Sequence, residues 1–138
     1  MQPLRAITIK QPWAHAIIHG GKDIENRSWA TSYRGTLAIH AGRASDDDAF
    51  FDFVAQRGLA STVKLVRADS EGLVRGAVIG IVDLVDCVER STSPWFEGPF
   101  GFVLANPRLL EPVSCRGAMG LFDLPPEVVE AVERQISR

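Results

Sequence analysis

The sequence predicts an α+β fold: a small, partly closed β-barrel of mixed, mostly antiparallel strands, five or six in number, flanked by three or four helices. Three observations carry this. β-Branched, alternating segments recur along the chain and are separated by Gly, Pro and Asn punctuation. One apolar stripe at helical spacing interrupts them early, and another closes the chain. At 138 residues, with 46% apolar and 23% charged composition, the chain has the size and balance of one globular domain, residues 1–138.

Leu4 to Ile9 alternates and is followed by Gln-Pro, which marks a strand. Pro12 suits a first helical position, where its missing N–H costs nothing. Trp13, Ala14, Ile17 and Ile18 form an apolar stripe that Gly20 and Gly21 terminate. Lys22 to Trp29 is extended, Tyr33-Arg34-Gly35 turns the chain, and Thr36 to Ala41 alternates again. Ser45 before Asp46, Asp47 and Asp48 reads as a hydroxyl cap with acids in the first helical turn; Gly58 ends that helix. Residues 59–75 fit either a loop or a second short helix.

Residues 76–89, GAVIGIVDLVDCVE, give the strongest strand signal, with a bend at Gly80 or Asp83. The apolar run from Val78 to Val88 belongs at the centre of the sheet. A loop carrying Trp95 and Phe96 follows. Phe100 to Ala105 is a strand ended by Asn106-Pro107, and Leu109 to Cys115 is another. Residues 116–124 are Gly-rich loop with a short extended piece. Pro125-Pro126 opens a helix with Val128, Val129, Val132 and Ile136 on its stripe.

Net charge is −2, which argues against a general polyanion binder. Yet residues 1–45 carry a balance of +4 and residues 46–138 a balance of −6. A positive face on an acidic body is one outcome; intermixing of the two halves in the fold is the other. No apolar run reaches the ~20 residues of a membrane span. The N-terminus has no signal-peptide pattern, so the chain reads as cytoplasmic. Cys87 and Cys115 have no metal-ligand spacing and read as free thiols.

The chemistry concentrates between Ile7 and Gly42, which hold all three histidines, two of three tryptophans and the single tyrosine. QPWA at 11–14, the pattern G-x-K-x-x-E-x-R at Gly20, Lys22, Glu25 and Arg27, SW at 28–29, RG at 34–35 and IHAG at 39–42 resemble the ASCH domain of the PUA-like superfamily. The form is similar to that in stand-alone bacterial ASCH proteins and in a thyroid-receptor-interacting transcriptional coactivator. PVSCRGAMGLFDLP, near the end, resembles the closing segment of the bacterial members. The resemblance spans nearly the whole chain and is weakest over residues 44–75. It implies a PUA-like β-barrel with a cleft lined by the G-x-K-x-x-E-x-R segment, and RNA, single-stranded nucleic acid or a modified nucleoside as partner. Some small relatives remove the acetyl group of N4-acetylcytidine, and others are described as ribonucleases. Fold membership alone does not choose among these.

Arg27 can grip a phosphate bidentately and Lys22 offers a compact charge. Glu25 can order both, or accept from a base amino group. In a regular strand, however, Glu25 and Arg27 share a face that Lys22 leaves, so the three converge only if the chain turns after Gly21. A solvated ion-pair strip is the bland alternative. Where the acetylcytidine amidohydrolases carry a threonine nucleophile, three residues after the lysine, this chain has Glu25. A carboxylate does not replace an activated hydroxyl, although Ser28 or Thr31 could, and Glu25 could activate water instead. A metal-independent ribonuclease would instead use Lys22, Glu25 and His40 as its catalytic set. His40 serves equally well as a structural histidine. The wider ligand-binding set is Lys10, Gln11, Trp13, Lys22, Glu25, Arg27, Ser28, Trp29, Tyr33, Arg34, Trp95 and Arg116, with Trp29 the better stacking platform, Trp13 more often core, and Trp95 a cap on the cleft. His15 and His19 have i,i+4 metal spacing but no third ligand nearby, so no metal and no cofactor is expected. A non-catalytic protein-interaction module is the third reading.

Overall fold

The computed structural model describes residues 3–59 and 72–137. Six strands and three helices are found there: β1 (Arg5–Gln11), α1 (Trp13–His19), β2 (Ile24–Arg27), β3 (Gly35–Ser45), α2 (Asp47–Arg57), β4 (Ala77–Val88), β5 (Phe100–Ser114), β6 (Leu121–Asp123) and α3 (Pro126–Ile136). They form one mixed sheet in the order β2-β5-β4-β3-β1-β6. β4 lies inside it, as its β-branched composition requires. β1 and β3 are parallel; the other pairings are antiparallel. Parallel neighbours need a crossover, and α1 with β2 supplies it. No helix of the described residues is long and apolar enough to cross a membrane.

Sheet alternation divides the apolar side chains into separate clusters. Ile7, Ile9, Leu37, Ile39 and Ala41 pack with Ala14 and Ile17 of α1 and Phe102 of β5. Ala6, Ala38 and Val78 join Val128, Val129 and Val132 of α3. A third cluster gathers Phe50, Phe53 and Val54 of α2 with Ile24 and Trp95.

Several local expectations change. Pro12 precedes α1 as its N-cap, after a cis Gln11–Pro12 bond. Ser45 is the last residue of β3, and Asp46 caps α2, its N–H donating to the Gln11 carbonyl at 2.9 Å. Asn106-Pro107 does not end a strand. Asp83 pairs with Ala105 and Ile81 with Arg108, so Asn106 and Pro107 together oppose Val82, a bulge where Pro is tolerated; Asn106 adopts φ 54°. Register also shifts on both sides of Gly80, the bend foreseen there. Ile136, expected on the α3 stripe, is 45% exposed. Most of the ambiguous 59–75 segment, residues 60–71, lies outside the described residues.

The hydrogen-bonded ladder leaves β2 and β6 as its two ends among the described residues. A side chain crosses from one end towards the other. β6 pairs with β1 only as far as Ile7. Just beyond, the Thr8 carbonyl accepts from Arg27 Nη2 of β2 at 3.0 Å. The seam bridged by Arg27 is where the candidate site lies.

Candidate nucleic-acid interface

The turn after α1 brings the motif together. Gly21 takes φ 76°, a left-handed conformation natural to glycine. The N–H groups of Gly20 and Lys22 both donate to the Ala16 carbonyl, at 2.8 and 3.1 Å. Lys22 is therefore in the turn, not in the strand, and its side chain folds back over β2. The ammonium donates to the Ile24 carbonyl and to Glu25 Oε1, the latter at 3.0 Å. Glu25 and Arg27 share one face of β2, and Arg27 Nε donates to Glu25 Oε2 at 2.9 Å. The result is a linear cation–anion–cation array, with side-chain exposures of 1% for Lys22, 12% for Glu25 and 23% for Arg27. A charge this buried persists only when paired and hydrogen-bonded. The solvated ion-pair strip is thus excluded: the array is built into the seam.

The array forms one wall of a cleft of about 400 Å³. Thr8, Ile9, Lys10, Trp13, Asn26, Ser28 and Glu97 complete the lining. Lys22 Nζ sits 5.6 Å from the centroid of the Trp13 ring, a cation–π distance. Trp13 is half-buried, its ring edge-on to Phe50 and Phe53 at 4.9 and 5.4 Å; it is core and cleft wall at once. Arg27 Nη1 and the Ser28 hydroxyl have no protein partner among the described residues, and Lys10 is exposed. Those are the donors a ligand can reach.

Other predicted residues lie elsewhere. Trp95 does not cap the cleft. It is 3% exposed and stacks on Phe53 at 5.9 Å between centroids. Gln11 is 1% exposed, donating to the Val74 carbonyl and accepting from the His15 N–H, both at 2.9 Å. Trp29 packs edge-on against Phe102 at 5.2 Å. Tyr33 donates to the Thr36 carbonyl at 2.5 Å, and burial raises its pKa. Arg34 is tied to the carbonyls of Thr31 and Tyr33 and faces Asp86 at 3.7 Å. His15 and His19 stack at 4.4 Å, and burial, then the charge of His19, lowers the His15 pKa. No group of three or more potential metal ligands occurs among the described residues.

His40 does not converge with Lys22 and Glu25. Ile39 and Ala41 face the α1 cluster, so alternation turns His40 to the α3 side of the sheet. There Nε2 donates to the Cys115 carbonyl at 2.7 Å. The Thr8 hydroxyl lies 3.2 Å from Nδ1 and accepts from the Ala118 N–H at 3.3 Å. A carbonyl only accepts, so Nε2 carries a proton. His40 thereby fastens the 115–118 segment to β1 and β3. Arg116 lies beside it, lining a second cavity.

Sequence reasoning missed Thr8, Asn26 and Glu97. Asn26 Nδ2 donates to the Trp95 carbonyl at 3.0 Å, and its Oδ1 accepts from the N–H groups of Glu97 and Gly98 at 2.8 and 2.9 Å. This pins the 93–98 loop and places Glu97, which is exposed, in the cleft lining. The only signal was the position of Asn26 between Glu25 and Arg27.

Residues 7–113 match the ASCH domain family. Activating signal cointegrator 1 of Homo sapiens is 29% identical over 116 residues, and that of Mus musculus 29% over 115 residues, in each case 74% of this chain. The chain spans only 19% of the length of these relatives. Among solved structures, ASCH from Zymomonas mobilis superposes with TM-score 0.54 at 16% identity, covering 94% of this chain and 93% of the other. A point variant of that protein gives TM-score 0.57 at 16% identity, covering 96% and 98%. At such identities the likeness concerns the fold.

Proposed function

The chain belongs to the ASCH domain family, and we propose that it binds single-stranded RNA or a modified nucleoside in the seam cleft of a PUA-like barrel. The family is generally linked to RNA binding. The observation that carries the reading is the charge array. Glu25 is held between two cations, so the wall of the cleft keeps a net positive charge that Lys10 reinforces. Arg27 Nη1 and Lys10 suit phosphate oxygens. The open edge of Trp13 offers apolar surface to a base. Glu97 in the lining suits an exocyclic amino group, as a carboxylate does when it accepts from cytosine N4. Lys22, already donating to Ile24 and Glu25, acts through its field and by holding Glu25 in place.

The same geometry favours binding over hydrolysis. Lys22 Nζ is engaged as a donor to the Ile24 carbonyl and to Glu25. Glu25 occupies the place of the amidohydrolase threonine, and the His40 of the ribonuclease scheme faces another cavity. The test is anisotropy of a labelled short single-stranded RNA over a range of salt. Arg27→Ala and Lys10→Ala should each weaken binding and reduce the salt slope by about 0.7 per lost phosphate contact. Unchanged affinity and slope in both variants would remove the cleft from consideration. Incubation with RNA and with N4-acetylcytidine should leave both intact.

A further inference from the structure

On the α3 side of β1 lies a second cavity of about 650 Å³. We propose that it is a phosphate-binding site, with Arg43 and Arg116 as the anion contacts. Three guanidinium groups line it, from Arg43, Arg75 and Arg116, and no carboxylate does among the described residues. Its position follows from an irregularity in the sheet. Ile9 pairs with Ala41 but Gln11 pairs with Ser45, so residues 42–44 bulge opposite Lys10 alone. The bulge carries Arg43 out of the ladder. Arg75 Nη1 donates to the Arg43 carbonyl at 3.4 Å, and the Arg43 guanidinium lies over Gly76, 3.2 Å from where a Cβ would stand. Opposite, the segment held by His40 supplies Arg116. Arg43 and Arg116 form no ion pair among the described residues, and both are exposed.

Guanidinium forks match phosphate oxygens, and the exposed Arg43 and Arg116 are placed to present theirs to one anion. The floor is glycine-rich. Gly117 has no room for a side chain: a Cβ there would lie 2.7 Å from Thr8 Oγ1 and 3.0 Å from His40 Cε1. Gly117 thereby lets the Arg116 segment pack tightly against Thr8 and His40, which fixes where Arg116 stands. The site is independent of the cleft reading, because it shares with that cleft only Thr8. Free phosphate and the phosphodiester of a polynucleotide are the two sources of this chemistry.

The experiment is two-dimensional amide NMR of the full chain, titrated with inorganic phosphate and, separately, with a short oligoribonucleotide. We expect saturable shifts at Gly42, Gly76, Gly117 and Ala118. Arg43→Ala with Arg116→Ala should weaken them at least about tenfold, as expected for lost charge-assisted contacts. Lys10→Ala, in the other cleft, should leave the phosphate titration unchanged. Saturation by oligonucleotide at lower concentration than phosphate identifies a polynucleotide source, and the reverse identifies free phosphate. Absence of saturable shifts at these residues with either probe, or equal shifts in the double variant, overturns the site. RNA binding unchanged in Lys10→Ala with phosphate shifts retained would be failure of the cleft alone, and RNA binding lost in Lys10→Ala with no phosphate shifts would be failure of this cavity alone.

Discussion

Glu25→Ala should be the most damaging single substitution in the seam. Glu25 is the shared partner of two cations, and removing it strands Lys22, whose side chain is 1% exposed. The ammonium would keep only the Ile24 carbonyl. Breaking a buried ion pair by deleting one partner costs about 3–5 kcal/mol, mainly the uncompensated charge. Domain stabilities run to about 5–15 kcal/mol, so this is a large fraction of the total. At about 3 °C per kcal/mol for a chain of this size, Tm should fall by about 9–15 °C. Lys22→Met is the control. It keeps an unbranched chain against Trp13 and leaves Glu25 paired with Arg27 at 2.9 Å. Its cost is the unsatisfied Ile24 carbonyl, about 1–3 kcal/mol. Urea denaturation with unchanged m-values provides both numbers. If Glu25→Ala costs under about 1 kcal/mol, or less than Lys22→Met, the array is not a buried structural element and the reasoning fails.

Burial and the neighbouring His19 depress the pKa of His15 below 6.5. Between its folded pKa and 6.5 the unfolded chain binds more protons, so His15 makes stability rise with pH across that window and disfavours folding below it. His15→Asn should lessen the loss of stability on acidification from pH 7 to 5, measured as urea midpoints; an unaltered pH dependence would refute this. Trp95→Ala should cost about 3–5 kcal/mol as a core truncation without a direct loss of ligand contact. Trp13→Ala should weaken RNA binding by about 1–3 kcal/mol if a base stacks there, so the reverse ranking in anisotropy would reassign the stacking wall. Gly80→Ala would place a Cβ 2.5 Å from Ile18 Cδ1 and 2.8 Å from the Arg108 carbonyl. Backbone cannot yield as a side chain does, so thermal unfolding should show destabilisation of at least about 1–3 kcal/mol.

What was legible in the sequence was mostly local. β-Branched density placed β4 inside the sheet, and of the two bends expected, at Gly80 or Asp83, the register shifts beside both. Alternation along β3 correctly separated His40 from Leu37 and Ile39. It could not say which face held the cleft, because that depends on α1 packing against Ile7, Ile39 and Ala41. The convergence of Lys22 with Glu25 was open for a related reason. Strand parity forbids it, and only the Gly21 turn, closed on the Ala16 carbonyl, permits it. β5 was read as two strands because Asn-Pro ordinarily stops a ladder; here the partner strand absorbs both residues in a bulge opposite Val82. Trp95, rightly placed in a loop, was read as a cap on the cleft, since nothing near it in sequence announces Phe53 of α2 as its partner. Thr8 was invisible as a site residue because its carbonyl and its hydroxyl serve two different cavities.

The most direct test of the binding account is the structure of the protein with a short single-stranded RNA, or amide shifts mapped with the same oligonucleotide. The ligand is expected to lie between Lys10, Trp13 and Arg27, with a phosphate oxygen at Arg27 Nη1 and a base against Trp13. Ligand density or saturable shifts confined to other surfaces, with the cleft unperturbed, would contradict it.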